Sequence, residues 1–211
     1  MTTLGYVHQY LPGTRADGLT VLALHGTGGD EHDLVPLVQA VAPGAAILAP
    51  RGDVSEQGAL RFFRRLAEGV FDLDDLARRT AALGAFVEGA AAQYGLARER
   101  VVALGFSNGA NIAASLLLAR PGLLAGAVLV RAMVPFEPSA PTGRADVPVL
   151  LREGRMDPLV PAANAERLAT LLAATGAEVT LQWAHAGHGL VQGDVDAARE
   201  WLAERFPAAG A

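Results

Sequence analysis

The segment Val101-Val102-Ala103-Leu104-Gly105-Phe106-Ser107-Asn108-Gly109-Ala110-Asn111 decides the fold. Its first part is a short apolar run rich in valine, which reads as a buried strand. From Asn108 onward, small and apolar residues continue to Arg120 and read as a helix that stops at Pro121-Gly122. Between the two lies G-x-S-x-G, at Gly105, Ser107 and Gly109. A chain that reverses directly from strand to helix leaves its central residue in a strained backbone conformation. Side chains two positions to either side would collide, so glycine stands at both. The turn lifts the Ser107 hydroxyl clear of the sheet and aims the Asn108 N–H, at the helix N-terminus, toward the same point. Ala110, Ala113 and Ala114 keep one helix face small enough to pack closely on the strands. The chain has only four serines, and this context makes Ser107 the candidate nucleophile among them.

Outward from this turn, short apolar runs alternate with longer helical stretches. That is the pattern of a mostly parallel sheet with helices on both faces. Strands are predicted over residues 6–11, 19–24, 45–48, 100–105, 124–130, 147–151 and 178–183, about seven in all. Their near-continuous apolar character predicts burial on both faces. Helices are predicted over 32–41, 73–94, 108–120, 161–174 and 192–205. Asp30, with Asp33 three residues on, is the expected cap of the first. Asp72 and Gly95 should start and stop the second, and Pro161 suits the first turn of the fourth. Residues 51–71, RGDVSEQGALRFFRRLAEGVF, are the least regular stretch and are long for a loop. They should either carry function or contain a short helix. Residues 1–211 read as one domain, with a frayed tail over 207–211.

Composition narrows the chemistry. The 211 residues are 51% hydrophobic and 18% charged, with net charge −5, which suits a globular α/β chain and argues against a general nucleic-acid binder. With no cysteine, a thiol nucleophile, thiolate metal ligands and disulfides are excluded. All 17 basic residues are arginine, so neither Schiff-base chemistry nor a P-loop lysine is available. No apolar run reaches the roughly 18 residues of a membrane span, and the first residues lack the form of a signal peptide. The expected compartment is the cytoplasm.

A serine nucleophile needs donors for the oxyanion, a base and a group to orient the base. Strand 19–24 runs into His25-Gly26-Thr27-Gly28-Gly29, whose glycines let backbone N–H groups turn toward one point. The Thr27 and Asn108 amides are the expected oxyanion pair, and His25 is expected to brace the loop. A phosphate-binding loop fits poorly, because G-x-G-x-x-G is not in order. Two histidines follow Ser107, at 185 and 188. His188, flanked by Gly187 and Gly189, is the expected base, and His185 reads as structural. Asp157, in an Asp-Pro turn after strand 147–151, is the expected acid, with Glu153 as runner-up. Asp146 precedes its strand and should lie at the wrong edge.

With these residues in place, the chain resembles the phospholipase/carboxylesterase family of α/β-hydrolases. It is most similar to the small bacterial branch of hydroquinone-associated or YpfH-like esterases. The resemblance rests on LHGTGGDEHDL at 24–34, RFFRRLAEGVFD at 61–72, GFSNGAN at 105–111, GRMDPLVP at 154–161 and AGHGL at 186–190. It implies an α/β-hydrolase fold without a large lid domain, and a Ser107-Asp157-His188 ester hydrolase that needs no cofactor or metal. It also implies a possible homodimer acting on a small-molecule ester. One departure is Ala132, where the family pattern leads one to expect proline.

The expected pocket lining is Phe62, Phe63, Met133, Leu159 and Leu190, with Phe71 and Phe136 as further candidates. Arg61, Arg64 and Arg65 read first as a solvated helical face paired with Glu68 and Asp72, and alternatively as an attractor for an anionic substrate group. The compact spacing of the motifs favours a short acyl chain. Other functions open to the same residues are an acyl thioesterase or lysophospholipase, a cofactor-free haloperoxidase or perhydrolase, and a non-catalytic binding protein on the same scaffold.

Overall fold

The computed structural model describes residues 4–139 and 146–208. Seven strands form one sheet: β1 (His8–Leu11), β2 (Thr20–Leu24), β3 (Ala46–Pro50), β8 (Val101–Phe106), β9 (Gly126–Val130), β10 (Pro148–Gly154) and β11 (Glu178–Ala184). Their order across the sheet is β1-β3-β2-β8-β9-β10-β11. Only β1 runs antiparallel to its neighbour; every other pairing is parallel. Every residue of β2, β3 and β9 is buried. Such burial needs apolar cover on both faces, and five helices supply it. They are α1 (Val35–Val41), α2 (Leu73–Tyr94), α3 (Asn108–Ala119), α4 (Ala162–Ala174) and α5 (Gln192–Arg205).

Two apolar clusters mark the two faces. Leu76, Leu83 and Phe86 of α2, Ile112 and Leu116 of α3, and Leu168 of α4 share one with alternate strand residues such as Leu22, Ala103 and Leu129. Val38 and Val41 of α1 and Ala198, Trp201 and Leu202 of α5 share the other with Val21, Val102 and Val128. The one-residue offset between the two strand sets is the period of two that sends neighbouring side chains to opposite faces. The most central strand, β8, carries Ser107 out at its carboxyl end.

Local departures from the sequence expectations have physical causes. Helix α1 starts at Val35 rather than at 32, and Asp30 does not cap it. Pro36 lies in the first turn, and a helix begun three residues earlier would place that residue where an N–H is required. Asp30 instead accepts a hydrogen bond from His32 N at 2.8 Å, in the turn that leads to the helix. Asp72 caps α2 as expected, accepting from Asp75 N, and Gly95 ends it at φ 66°. Pro161 sits one position outside α4 as its N-cap.

Residues 51–71 contain no helix. Two small hairpins occupy them, β4 (Val54–Glu56) with β5 (Ala59–Arg61) and β6 (Arg65–Ala67) with β7 (Val70–Phe71). Gln57 and Gly58 both have positive φ, 51° and 89°, the conformation that a two-residue hairpin turn requires. Part of the tail expected over 207–211 lies outside the described residues.

Candidate active site

Ser107 caps α3 with φ 51° and ψ −114°, a conformation that side-chain-bearing residues rarely hold. Close packing enforces it. A Cβ on Gly105 would lie 2.7 Å from Ala110 Cα, and one on Gly109 would overlap the carbonyl oxygens of Leu24 and His25. Backbone hydrogen bonds fix both sides of the turn, Ser107 N to Val130 O at 2.9 Å and Asn111 N to Ser107 O at 2.9 Å.

The structure brings Ser107, His188 and Asp157 together. His188 Nε2 lies 2.8 Å from Ser107 Oγ, and His188 Nδ1 lies 2.8 Å from Asp157 Oδ2. Asp157 stands in the turn after β10, and its side chain is fully buried. Its other oxygen accepts from Leu159 N at 2.8 Å and Val160 N at 3.2 Å. Those bonds orient the carboxylate toward Nδ1. An N–H on Nδ1 then leaves the Nε2 lone pair facing the serine hydroxyl, the arrangement in which an imidazole can take the hydroxyl proton. His185 is exposed, at the end of β11, and lies outside the cavity that holds Ser107.

Thr27 and Asn108 line that cavity beside Ser107, and neither backbone amide donates to another described residue. The loop that carries Thr27 is braced from two sides. His25 Nδ1 donates to Gly26 O at 2.7 Å while its Nε2 accepts from Gly52 N at 2.9 Å, so both ring nitrogens are used. Burial pushes the His25 pKa down, which favours the neutral ring this bonding needs. Gly28 N donates to Leu60 O of β5 at 2.8 Å, joining the loop to the first hairpin. Asn108 Oδ1 accepts from Phe62 N at 2.7 Å, joining α3 to the same segment.

The cavity measures about 260 Å³. Met133, Leu159 and Phe71 line it. Phe62 and Phe63 do not. Both are wholly buried in the core, Phe62 against His25 and Phe63 edge-on to Phe71. The Phe62 N–H donates to Asn108 Oδ1 and the Phe63 carbonyl accepts from Arg61 Nε, while both rings are buried in the core. Leu190 is outside the lining, and Phe136 lines a separate apolar cavity between α2 and α3. Of the three arginines, Arg64 pairs outward with Asp72, whereas Arg61 and Arg65 enter the cavity wall. The expected helical face is absent because the segment is a pair of hairpins.

A buried network that sequence reading missed holds the loop around His188. Arg131, fully buried at φ 57°, directs five N–H groups at five acceptors. Nε donates to Gly187 O at 2.9 Å and Nη2 to Gly189 O at 3.2 Å, the carbonyls on either side of His188. Nη1 reaches Arg152 O at 3.0 Å and Asp194 Oδ1 at 3.3 Å, and Nη2 reaches Asp194 Oδ2 at 2.8 Å. Arg152 Nε also donates to Asp194, at 3.1 Å. A charged residue directly after an apolar strand was the one available signal, and its partners are distant in sequence.

Glu153 does not join the Ser-His-Asp chain. Its Oε1 accepts from Ala132 N at 2.8 Å, and its Oε2 is buried with no hydrogen-bond partner among the described residues. The alanine at 132 thus supplies an N–H that a proline could not. Burial is the main cause that pushes the Glu153 pKa up to about 8, with the Ala132 N–H and Arg131 opposing. A carboxyl whose folded pKa is raised stabilises the fold below its unfolded value and loses that contribution as pH rises through about 8. The expected result is that the melting temperature of Glu153→Gln, relative to the parent, is lowest below about pH 4.5, climbs steadily from there to about pH 8 and levels off by about pH 9. Thermal melts across that range check this, and a gap independent of pH contradicts it.

Among the described residues, no group of three or more His, Cys, Asp or Glu side chains is arranged to hold a metal ion, and no helix is long and apolar enough to cross a membrane.

A largely parallel sheet of seven strands, covered on both faces, with a serine at a strained strand-to-helix turn, defines an α/β-hydrolase. The family model described as Phospholipase/Carboxylesterase matches residues 70–205. MhqD of Bacillus subtilis (strain 168), named as a hydrolase, is 45% identical over 197 residues, covering 93% of this chain and 98% of that protein. The crystal structure of the Bacillus cereus carboxylesterase is similar with a TM-score of 0.92 and 43% identity, over 95% of each chain. The carboxylesterase of Mesorhizobium loti has a TM-score of 0.88 and 33% identity, over 96% of this chain and 97% of that one. The chain belongs to the phospholipase/carboxylesterase family and, by that membership, is an esterase.

Proposed function

We propose that the protein is a serine carboxylesterase that hydrolyses small, short-acyl carboxylic esters through an acyl-enzyme. The observation that carries this reading is the continuous hydrogen-bonded chain from Ser107 Oγ through the His188 ring to the buried Asp157 carboxylate, with 2.8 Å at each link. His188 Nε2 takes the proton as Ser107 Oγ forms a bond to the ester carbonyl carbon. The carbonyl electron pair moves onto oxygen, which the Thr27 and Asn108 amides stabilise. The imidazolium, held by Asp157, gives its proton to the leaving alkoxide as the C–O bond breaks. Water then repeats the sequence on the acyl-serine, releasing the acid and restoring the hydroxyl.

The size of the cavity supports the short acyl group. At about 260 Å³ it lies at the small end for enclosed ligand sites. A panel of p-nitrophenyl acetate, butyrate and palmitate tests the proposal. The expected result is that acetate or butyrate is preferred. A preference for palmitate contradicts the short-acyl reading.

A further inference from the structure

Three arginines line the cavity that holds Ser107, and two of them, Arg61 and Arg65, share a single carboxylate, Glu56. Arg61, the last residue of β5, is 3% exposed. Its Nη1 donates to Thr27 Oγ1 at 2.6 Å and its Nε to Phe63 O at 3.2 Å. The Nε also lies 3.3 Å from Glu56 Oε2. Arg65 uses its Nε on the same carboxylate, at 2.8 Å and 3.1 Å. The remaining N–H groups, on Arg61 Nη2 and on both terminal nitrogens of Arg65, donate to no described residue. Glu56 therefore serves two cations. Burial pushes the Arg61 pKa down, Arg65 adds to that effect and Glu56 opposes it. Glu68 also lines the cavity, but it is exposed and forms no ion pair with a described residue.

A buried cation without full compensation is costly, and a fork of free N–H groups suits a planar carboxylate. The Arg61–Thr27 bond sets this fork beside the amide proposed to hold the oxyanion. We infer that the site takes esters that carry a second, free carboxylate close to the scissile ester, with Arg61 and Arg65 binding it. Monoesters of short dicarboxylic acids have this chemistry. The inference rests on the esterase reading above and names its substrate class.

The test compares monomethyl succinate with methyl butyrate, a neutral ester of similar length, with p-nitrophenyl acetate as the control for esterase activity. The parent is expected to favour the anionic ester in kcat/KM by about ten- to a hundredfold, the range for a charge-assisted contact. That ratio should fall toward unity in Arg65→Gln, whose half-exposed side chain can change without unfolding the chain. It should also fall as salt is raised to about 0.5 M. Glu68→Gln, which removes a like charge from the cavity wall, should move the ratio the opposite way. Equal or better use of methyl butyrate by the parent, or a ratio that Arg65→Gln leaves unmoved, overturns the inference while hydrolysis of p-nitrophenyl acetate leaves the esterase reading standing. Failure on all three esters overturns both.

Discussion

Ser107→Ala is expected to reduce kcat/KM for a short ester by about ten-thousandfold or more, with the melting temperature nearly unchanged. Among the described residues the hydroxyl bonds only to His188, so its removal breaks no contact there that holds the turn. The strained φ of 51° is held by the glycines and the backbone bonds on either side, which alanine leaves in place. His188→Ala should lose a similar amount, because nucleophile and base act as one unit, and the double variant should be hardly worse than either alone. His185→Ala should stay close to the parent, since that ring is exposed and outside the cavity. Steady-state kinetics with calorimetric melts on each variant check the set. Retained turnover in Ser107→Ala, or greater damage at His185 than at His188, contradicts the assignment.

Arg131→Met is the second large effect, and it acts on stability. The substitution leaves Asp194 at 2% exposure with Arg152 as its remaining cation, and strips donors from the carbonyls of Gly187, Gly189 and Arg152. Breaking a buried pair from one side typically costs about 3–5 kcal/mol. In a chain of this size that corresponds to a loss of roughly 10 °C in melting temperature. Arg131→Lys keeps the charge but offers fewer donors in a different geometry, so it should recover only part of the loss. Activity should fall along with stability, because both carbonyls beside His188 lose their anchor. A change within about 2 °C of the parent would mean that the network contributes little. Removing Asp194 as well, in Arg131→Met/Asp194→Leu, should recover stability relative to Arg131→Met alone, since no buried carboxylate is then left with too few partners.

Much of this architecture could be read from local chemistry. The strand–serine–helix turn announces itself because glycines two residues either side of Ser107 answer a steric demand that few other turns make. Asp72 and Gly95 mark the ends of α2 because each satisfies backbone groups within its own turn. Elements set by long-range contact were harder to read. Helix α1 looked longer because Asp30 has the form of a cap, and Pro36 decides the start. The hairpins at 54–71 were hidden because Gln57-Gly58 is a weaker turn signal than Asn-Gly, and because the strands are two or three residues long.

Side-chain direction explains the rest. Phe62 and Phe63 are as apolar as any pocket residue, and nothing in their type says that they face the core. Arg61, Arg64 and Arg65 look alike in sequence, yet Arg64 turns outward to Asp72 while Arg61 and Arg65 reach the cavity. Arg131 finds its carboxylate at Asp194 and two of its carbonyls beyond residue 180, a separation that no local pattern encodes.

Labelling with a fluorophosphonate, followed by mass spectrometry to locate the adduct, tests the central claim most directly. One adduct per chain on the peptide carrying Ser107, absent in Ser107→Ala and strongly slowed in His188→Ala, is the predicted result. An adduct on Ser55, Ser115 or Ser139, or no adduct on a chain that still hydrolyses esters, would contradict it.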